Sequence, residues 1–335
     1  MIPYHTLRWR WLRACFFGGL LLSCGEAPRD NPLDPLAPDF NNRGQLLVYT
    51  QTYYSPNQPL PGVSLLLKPD NLVQLSNAEG LFRFRDLPAD TYVVVASKPD
   101  FVADSQTVVV QPQRTSEIFL QLDAKPLFSR VSVRSEKISA FIPIEGEALQ
   151  LVVEADLQDG DGLDDIQEVK LFSASFGLLQ TLQRQSASNT FAAVVSEDHL
   201  TTGSLYDLIG DRLWLEATDR AGALSISDSA FLIRIIEPIP LLSTPSGLIE
   251  TDSRPRFQWE NLTLPFDYRY RINLLTFDFS FLVPVPFRQI DDIPSDSLSF
   301  VYDSNLSNGA YLWTLSIVDR FGNSSRSREA VFLVR

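Results

Sequence analysis

The densest group of side chains that could bind a ligand is an acidic loop at residues 156–165. It reads Asp-Leu-Gln-Asp-Gly-Asp-Gly-Leu-Asp-Asp, so carboxylates are closely spaced around two flexible glycines. Calcium needs about six to eight oxygen ligands in a site with little strain, and such a loop can supply several of them. We predict Asp159, Asp161 and Asp165 as the donors of a Ca²⁺ site, with Asp156 as a further candidate.

The same loop also fits a plain turn between two strands. It departs from the EF-hand pattern because Leu163 takes the fifth position, Asp164 replaces the invariant glycine, and Lys170 replaces the glutamate at the twelfth. An Asp-Gly turn uses its carboxylates to bind nearby backbone amides without any ion. The sequence therefore leaves two interpretations open, a weak Ca²⁺ site and a tight turn, and it indicates no other cofactor.

Residues for other common chemistry are scarce. The cysteines are Cys15 and Cys24 and the histidines are His5 and His199, so the chain after Cys24 has no cysteine and one histidine. This composition excludes a disulfide framework, a cysteine nucleophile and a multi-histidine metal site in that part of the chain. No motif around His199 supports Ser-His-Asp chemistry, and we predict that the protein is not an enzyme.

Two groups of aromatic residues are candidate binding platforms. Exposed aromatic side chains can bind sugars or a partner protein, whereas buried ones form a core or pack between modules. Both interpretations stay open at this point. The candidates are Tyr53 and Tyr54 before a predicted loop, and Phe277, Phe279, Phe281 and Phe287 in a proline-containing stretch.

The N-terminal segment is typical of a secretory signal. Arg8, Arg10 and Arg13 precede an apolar run at residues 14–22. This run is too short to span a bilayer, which needs about 20 residues.

Residues 21–24, Leu-Leu-Ser-Cys, resemble the lipobox of bacterial lipoproteins. The resemblance implies a signal peptide over residues 1–23 and an acyl chain such as palmitate on Cys24, which becomes the new N-terminus. It implies a membrane-anchored protein of the cell envelope. Because Gly25 follows the cysteine instead of an aspartate that retains some lipoproteins in the inner membrane, the outer membrane is favoured.

Residues 24–43 predict a tether with prolines at 28, 32, 35 and 38. Proline restricts itself and the residue before it to extended conformations, so this segment is predicted to be a stiff spacer.

Removal of residues 1–23 leaves 25 basic and 41 acidic residues, a net charge of −16. An acidic surface repels phosphate backbones, so nucleic acid is not an expected partner.

After Cys24, apolar residues alternate with a period of two between turn signals. This pattern predicts an all-β protein with three tandem β-sandwich modules, at residues 44–124, 125–236 and 237–335.

In the first module, residues 61–65 (Pro-Gly-Val-Ser-Leu), 77–84 and 87–92 resemble the carboxypeptidase regulatory-like, or transthyretin-like, domain. Gly80 supplies its positive-φ turn, and Asp90 stands where that family has glycine. The family is an accessory sandwich, which implies no catalytic residue.

The second and third modules share an Asp-Arg-x-Gly turn, at residues 219–222 and 319–322. Together with Pro255, Trp259 and the stretch 309–313, these turns resemble immunoglobulin-like and fibronectin type III-like modules. We therefore expect a non-catalytic lipoprotein whose modules act as scaffold, spacer or protein-binding units at the cell envelope. The alternative is a surface lipoprotein that captures glycan for an uptake system.

Overall fold

The computed structural model of the protein describes residues 31, 34–37, 40–141, 145–186, 188–200, 203–278 and 283–335. Strands form nearly all of its regular structure, with two short 3₁₀ turns, so the all-β prediction is confirmed. In these ranges no helix is long and apolar enough to cross a membrane. The predicted signal peptide and Cys24 lie outside the described residues.

The chain forms two compact units, which are described separately. The second unit consists of Thr52–Asn57, Lys98–Val102 and Leu122–Arg335. The first unit holds the residues up to Gln51 together with Gln58–Ser97 and Ala103–Gln121. Three short segments of the first predicted module, the last of them residues 122–124, therefore belong to the second unit.

The first unit is a β-sandwich. Its strands are β1 (Arg43–Thr52), β2 (Ser64–Lys68), β3 (Leu72–Leu75), β4 (Leu81–Pro88), β5 (Thr91–Ser97), β6 (Asp104–Val109) and β7 (Thr115–Leu122). One sheet has the order β4-β1-β7 and the other β3-β2-β5-β6. Alternate residues such as Leu65, Leu67, Val94 and Ala96 are completely buried, because successive side chains of a strand point to opposite faces.

The described part of the tether contains a turn. The amide of Ala37 donates to the carbonyl of Asp34 at 2.9 Å, and the amide of Leu36 donates to the Asp34 carboxylate at 2.9 Å. Around Asp34 the tether therefore departs from the extended conformation that proline favours. An aspartate that precedes a proline readily accepts hydrogen bonds from the amides that follow and so starts a turn.

Gly80 lies where two backbone segments approach closely. Its carbonyl accepts from the amide of Thr50 at 2.7 Å, and its φ is +67°. A Cβ atom at this position would lie 2.4 Å from the carbonyl oxygen of Thr50 and 2.9 Å from the amide nitrogen of Leu60. The predicted glycine turn is confirmed, and the structure adds a steric reason for it.

We expect Gly80→Ala to lower the free energy of unfolding by about 2–5 kcal/mol, because it combines left-handed strain with a backbone clash. Gly62→Ala is the matched control, since Gly62 has a φ of +69° but a Cβ atom there would meet nothing within 4 Å. The control should cost only about 1–2 kcal/mol. Urea unfolding of both variants measures the difference, and equal losses would contradict the close-approach argument.

The first sandwich of the second unit surrounds an apolar core that includes Leu151, Val169, Leu182 and Leu215. Two 3₁₀ turns, Glu197–His199 and Leu205–Leu208, close one side of it. Its strands are β8 (Leu127–Ala140), β9 (Gly146–Gln158), β10 (Ile166–Ser173), β11 (Gly177–Arg184), β12 (Thr190–Ser196), β13 (Arg212–Asp219), β14 (Leu224–Ile226) and β15 (Ala230–Phe231).

The second sandwich of this unit has an aromatic core. The rings of Phe257 and Trp313 have centroids 4.8 Å apart, and the indole nitrogen of Trp313 donates to the carbonyl of Pro245 at 2.8 Å. Its strands are β16 (Leu242–Thr244), β17 (Ile249–Thr251), β18 (Arg256–Trp259), β19 (Tyr268–Asp278), β20 (Val283–Pro294), β21 (Ser299–Val301), β22 (Gly309–Asp319), β23 (Ser324–Arg326) and β24 (Ala330–Val334).

The two sandwiches of the second unit share one continuous sheet. Strand β8 pairs in parallel with β23, with Glu136 opposite Ser324 and Ile138 opposite Arg326. The resulting sheet runs from β14 in one sandwich to β20 in the other. The alternation pattern of the sequence did not predict this ladder, because it joins segments nearly two hundred residues apart.

A buried asparagine reinforces this joint. The side-chain oxygen of Asn323 accepts from the amide of Ser135 at 2.9 Å, and its side-chain nitrogen donates to Asp319 at 3.0 Å. Asn323 is almost completely buried. Its amide group therefore makes hydrogen bonds on both sides of the joint, where unpaired polar groups would be costly.

Candidate metal centre

Five aspartates of the second unit lie together at one end of its first sandwich. Asp159, Asp161 and Asp165 come from the acidic loop after β9, Asp219 from the turn after β13, and Asp123 from the segment before β8. One carboxylate oxygen each of Asp123, Asp161 and Asp165 lie within 4.8 Å of one another. The same holds for Asp159, Asp165 and Asp219, so Asp165 links the two groups.

The acidic loop is a local turn that its glycines make possible. The amide of Gly162 donates to the carbonyl of Asp159 at 3.2 Å, and the amide of Asp165 donates to the carbonyl of Gly162 at 3.0 Å. Gly162 has a φ of +106°, which favours glycine. Within the loop, the amide of Asp161 also donates to the Asp159 carboxylate at 2.8 Å. The tight-turn interpretation is therefore correct for the backbone of the loop.

Several of these carboxylates are held in place through one oxygen. Oδ1 of Asp219 accepts from the amides of Gly222 and Ala223, each at 2.7 Å. Oδ1 of Asp165 accepts from the hydroxyl of Tyr54 at 2.6 Å. Such contacts orient the carboxylates before any ligand arrives.

Four carboxylate oxygens of the cluster are buried without a hydrogen-bond donor among the described residues. Oδ1 of Asp123 and Oδ2 of Asp159, Asp165 and Asp219 are buried and have no hydrogen-bond partner among the described residues. Asp219 is 0% exposed, Asp123 6% and Asp165 7%. Asp161, the third loop aspartate, accepts from the amide of Ala124 through its Oδ2 at 2.8 Å. Buried acceptors that lack a donor carry a large desolvation penalty.

The electrostatics of the cluster reflect burial of like charges. Burial, reinforced by the neighbouring aspartates, raises the pKa of Asp123 to about 7 and the pKa of Asp159 to about 6. Burial also raises the pKa of Asp219. The hydrogen bond to Asp165 raises the pKa of Tyr54, so its hydroxyl stays protonated and remains a donor. All of these shifts disfavour additional negative charge in the same place.

Two arginines of the same sandwich pair with aspartates outside the cluster. Arg184 binds Asp164, whose side chain is 94% exposed, at 2.6 Å. Arg130 binds Asp156 at 2.8 Å, and this hydrogen bond holds the pKa of Asp156 below its usual value. The ion pairs found in the described part of the chain include none to the five clustered carboxylates. Asp156, a further candidate from the sequence, is therefore not part of the cluster.

The corresponding turn of the second sandwich shows how the chain neutralises such a carboxylate elsewhere. Oδ1 of Asp319 accepts from the amides of Phe321 and Asn323, as Oδ1 of Asp219 does from its own turn. Oδ2 of Asp319 contacts the Nε of Arg234 at 3.3 Å and accepts from the Asn323 side chain. Arg234 lies before the second sandwich, whereas Asp123 lies before the first. The turn of Asp319 therefore has an arginine beside its carboxylate, whereas the turn of Asp219 has other carboxylates beside its own.

The donor set is suited to a hard divalent cation. The atoms of both groups are carboxylate oxygens, which Ca²⁺ prefers, and each group offers three of them, with Asp165 common to the two groups. The structure brings the predicted Asp159, Asp161 and Asp165 together and adds Asp123 and Asp219. Asp219 was visible in the sequence only as a turn residue, and Asp123 had no local signal.

The aromatic candidates do not form a flat platform among the described residues. Tyr53 and Tyr54 meet edge to face at 5.1 Å with an interplanar angle of 88°. Phe287 is half-exposed and lies edge to face with Tyr311. The candidates Phe279 and Phe281 lie outside the described residues.

No family model matches the chain, and no curated protein sequence matches it. Among solved structures, the major pilin subunit BcpA of Bacillus cereus is 11% identical, with 84% of this chain and 91% of that chain covered and a TM-score of 0.29. The FN1–FN3 domains of chicken CNTN1 are 11% identical, with 82% and 90% covered and a TM-score of 0.32. The fibronectin(III)-like modules of Clostridium thermocellum CbhA are 9% identical, with 62% and 92% covered and a TM-score of 0.28.

We expect Tyr54→Phe to lower the free energy of unfolding by about 1.5–3 kcal/mol, because it leaves the buried Asp165 carboxylate without its hydroxyl donor. The control is Tyr53→Phe, which changes the 45%-exposed neighbouring side chain and should shift stability by less than about 0.5 kcal/mol. Urea unfolding in buffer with a calcium chelator measures both. An equal effect of the two variants would contradict the role assigned to the Tyr54 hydroxyl.

Proposed function

We propose that this chain is a non-catalytic, lipid-anchored scaffold of the cell envelope that holds its β-sandwiches away from a membrane. The continuous sheet of the second unit supports this function best. Two sandwiches joined only by a linker would move independently, whereas the β8–β23 ladder joins them through backbone hydrogen bonds. A joint of this kind suits a spacer, because its length and orientation are preserved under load.

Side-chain contacts strengthen the same joint. Lys137 on β8 contacts Glu237 at 3.1 Å, and Arg328 contacts Glu145 at 2.8 Å. The hydroxyl of Ser135 donates to the carbonyl of Arg234 at 2.9 Å. The exposed ion pairs contribute little by themselves, but together with the buried Asn323 they fix the register of the ladder.

The lipid anchor completes this proposal. The lipobox-like residues 21–24 would place an acyl chain on Cys24, and the proline-rich tether would separate the sandwiches from the lipid surface. This arrangement favours an outer-membrane lipoprotein with envelope proteins as its partners. Glycan capture is the alternative function, and the edge-to-face arrangement of the tyrosine pair does not favour it.

The rigidity of the joint is directly measurable. The chain from residue 25 onward has no native cysteine, so spin labels on Val194→Cys in β12 and Val301→Cys in β21 report on the two sandwiches. Both positions are exposed. We expect one narrow distance distribution by pulsed electron paramagnetic resonance.

Asn323→Ala should broaden this distribution, because it leaves the buried Ser135 amide unpaired and weakens the joint by about 1–3 kcal/mol. The exposed Asn308→Ala is the control and should leave the distribution narrow. A broad distribution in the chain with an intact Asn323 would overturn the scaffold proposal.

The anchor is tested in a bacterium that processes lipoproteins. Cys24→Ala should abolish labelling by a palmitate analogue and release the protein from the membrane fraction, because the acylated sulfur is gone. Cys15→Ala, within the predicted signal peptide, should keep both. Equal labelling of the Cys24→Ala variant would refute the anchor, and selective binding of the residue 25–335 chain on a glycan array would favour the alternative function.

A further inference from the structure

We propose that the five aspartates of the second unit form a Ca²⁺ site centred on Asp165, with Asp123, Asp159, Asp161 and Asp219 as the remaining ligands. The inference goes beyond the scaffold function, which does not require a metal. It assigns a ligand to the acidic loop and recruits two residues from outside the loop.

Two buried aspartates from outside the loop, Asp123 and Asp219, lie beside the loop carboxylates. An acidic loop alone is common without an ion, because its carboxylates can turn to solvent. Asp219 and Asp123 come from other elements and are 0% and 6% exposed. Each has a buried carboxylate oxygen with no hydrogen-bond partner among the described residues. Each also has a carboxylate oxygen within 4.8 Å of oxygens from two loop aspartates. A cation would satisfy these oxygens together.

The repeated Asp-Arg-x-Gly turn also supports a cation at Asp219. Asp219 and Asp319 are held by their turns in the same way, through backbone amides on Oδ1. Oδ2 of Asp319 contacts the guanidinium of Arg234 and accepts from Asn323. Oδ2 of Asp219 has no hydrogen-bond partner among the described residues, and the Asp219 carboxylate lies beside those of Asp165 and Asp159. The same fold element therefore has a built-in cation in one sandwich and converging anions in the other.

The number of carboxylate oxygens also suits Ca²⁺. Each of the five carboxylates offers at least one oxygen, which nearly meets the requirement of Ca²⁺ for about six to eight ligands, with water or bidentate contacts for the rest. Ligand charge raises affinity, so five carboxylates should bind Ca²⁺ more tightly than the three of the loop. We expect a dissociation constant below about 10⁻⁴ M.

Isothermal titration of the residue 25–335 chain with CaCl₂, after removal of bound metal by chelator, tests this site. This chain contains every described residue. Asp165→Asn and Asp123→Asn should each weaken binding by at least about tenfold, since each removes a charged ligand. Asp164→Asn and Asp156→Asn are matched controls, because these aspartates bind Arg184 and Arg130 and should leave the dissociation constant unchanged within about twofold.

Thermal unfolding distinguishes specific binding from general screening of the charges. Saturating Ca²⁺ should raise the Tm by at least about 4 °C. NaCl at the same ionic strength should not, because it screens charge without supplying a coordinated ion. Metal-free Asp165→Asn should melt at or above the temperature of the unchanged chain, since it removes a buried like charge, yet it should lose the Ca²⁺-dependent rise.

Three results would overturn the site. The first is the absence of Ca²⁺ binding at millimolar concentration. The second is a Tm rise with NaCl equal to that with Ca²⁺, and the third is an unchanged dissociation constant in Asp123→Asn. The last result would leave a loop-only site and contradict the five-ligand assignment. A lower metal-free Tm in Asp165→Asn with an unchanged dissociation constant would mean a purely structural role for that carboxylate.

Discussion

The buried aspartate of the Asp-Arg-x-Gly turn is the constraint on which the second unit depends. In each sandwich its first oxygen binds two backbone amides of the turn, which fixes the reversal of the chain after a long central strand. Its second oxygen then lies in the interior and needs a partner. Because a buried charge without a partner is costly, the choice of that partner decides how the sandwich is joined to the segment before it.

The two sandwiches meet this need in different ways. Asp319 contacts Arg234 and Asn323, and Asn323 in turn accepts from the Ser135 amide on β8. The neutralised aspartate is thereby part of the joint between the sandwiches. Asp219 instead lies beside Asp159 and Asp165, and Asp165 also lies beside Asp123 from the segment that enters the same sandwich. The same turn thus produces a closed salt bridge at one place and an anionic cluster at the other.

The parallel ladder between β8 and β23 also solves a common problem of β proteins. An edge strand presents unpaired amides and carbonyls that invite pairing with other chains. Here β23 covers part of the free edge of β8, while β9 pairs with its other side. One arrangement therefore satisfies backbone groups, restricts motion between two cores and protects an edge.

Much of this architecture follows from local sequence. Two-residue alternation in stretches such as 149–155 and 311–317 predicted strands, because successive side chains of a strand point to opposite faces of the sheet. Gly80 was recognisable because a positive φ is easy only for glycine. Asp159, Asp161 and Asp165 could be grouped from the sequence because residues so close in the chain, with glycines between them, must lie near one another.

Tertiary structure alone decided the rest. Asp123 and Asp219 join the cluster, and Asp156 leaves it for Arg130, because long-range packing determines which carboxylates face each other and which face an arginine. The pairing of β8 with β23 joins segments that have no shared motif, since a short parallel ladder depends on backbone groups that every residue carries. Local sequence thus determined which segments are strands and turns. The packing of distant segments determined which buried carboxylates lie beside an arginine and which lie beside other carboxylates.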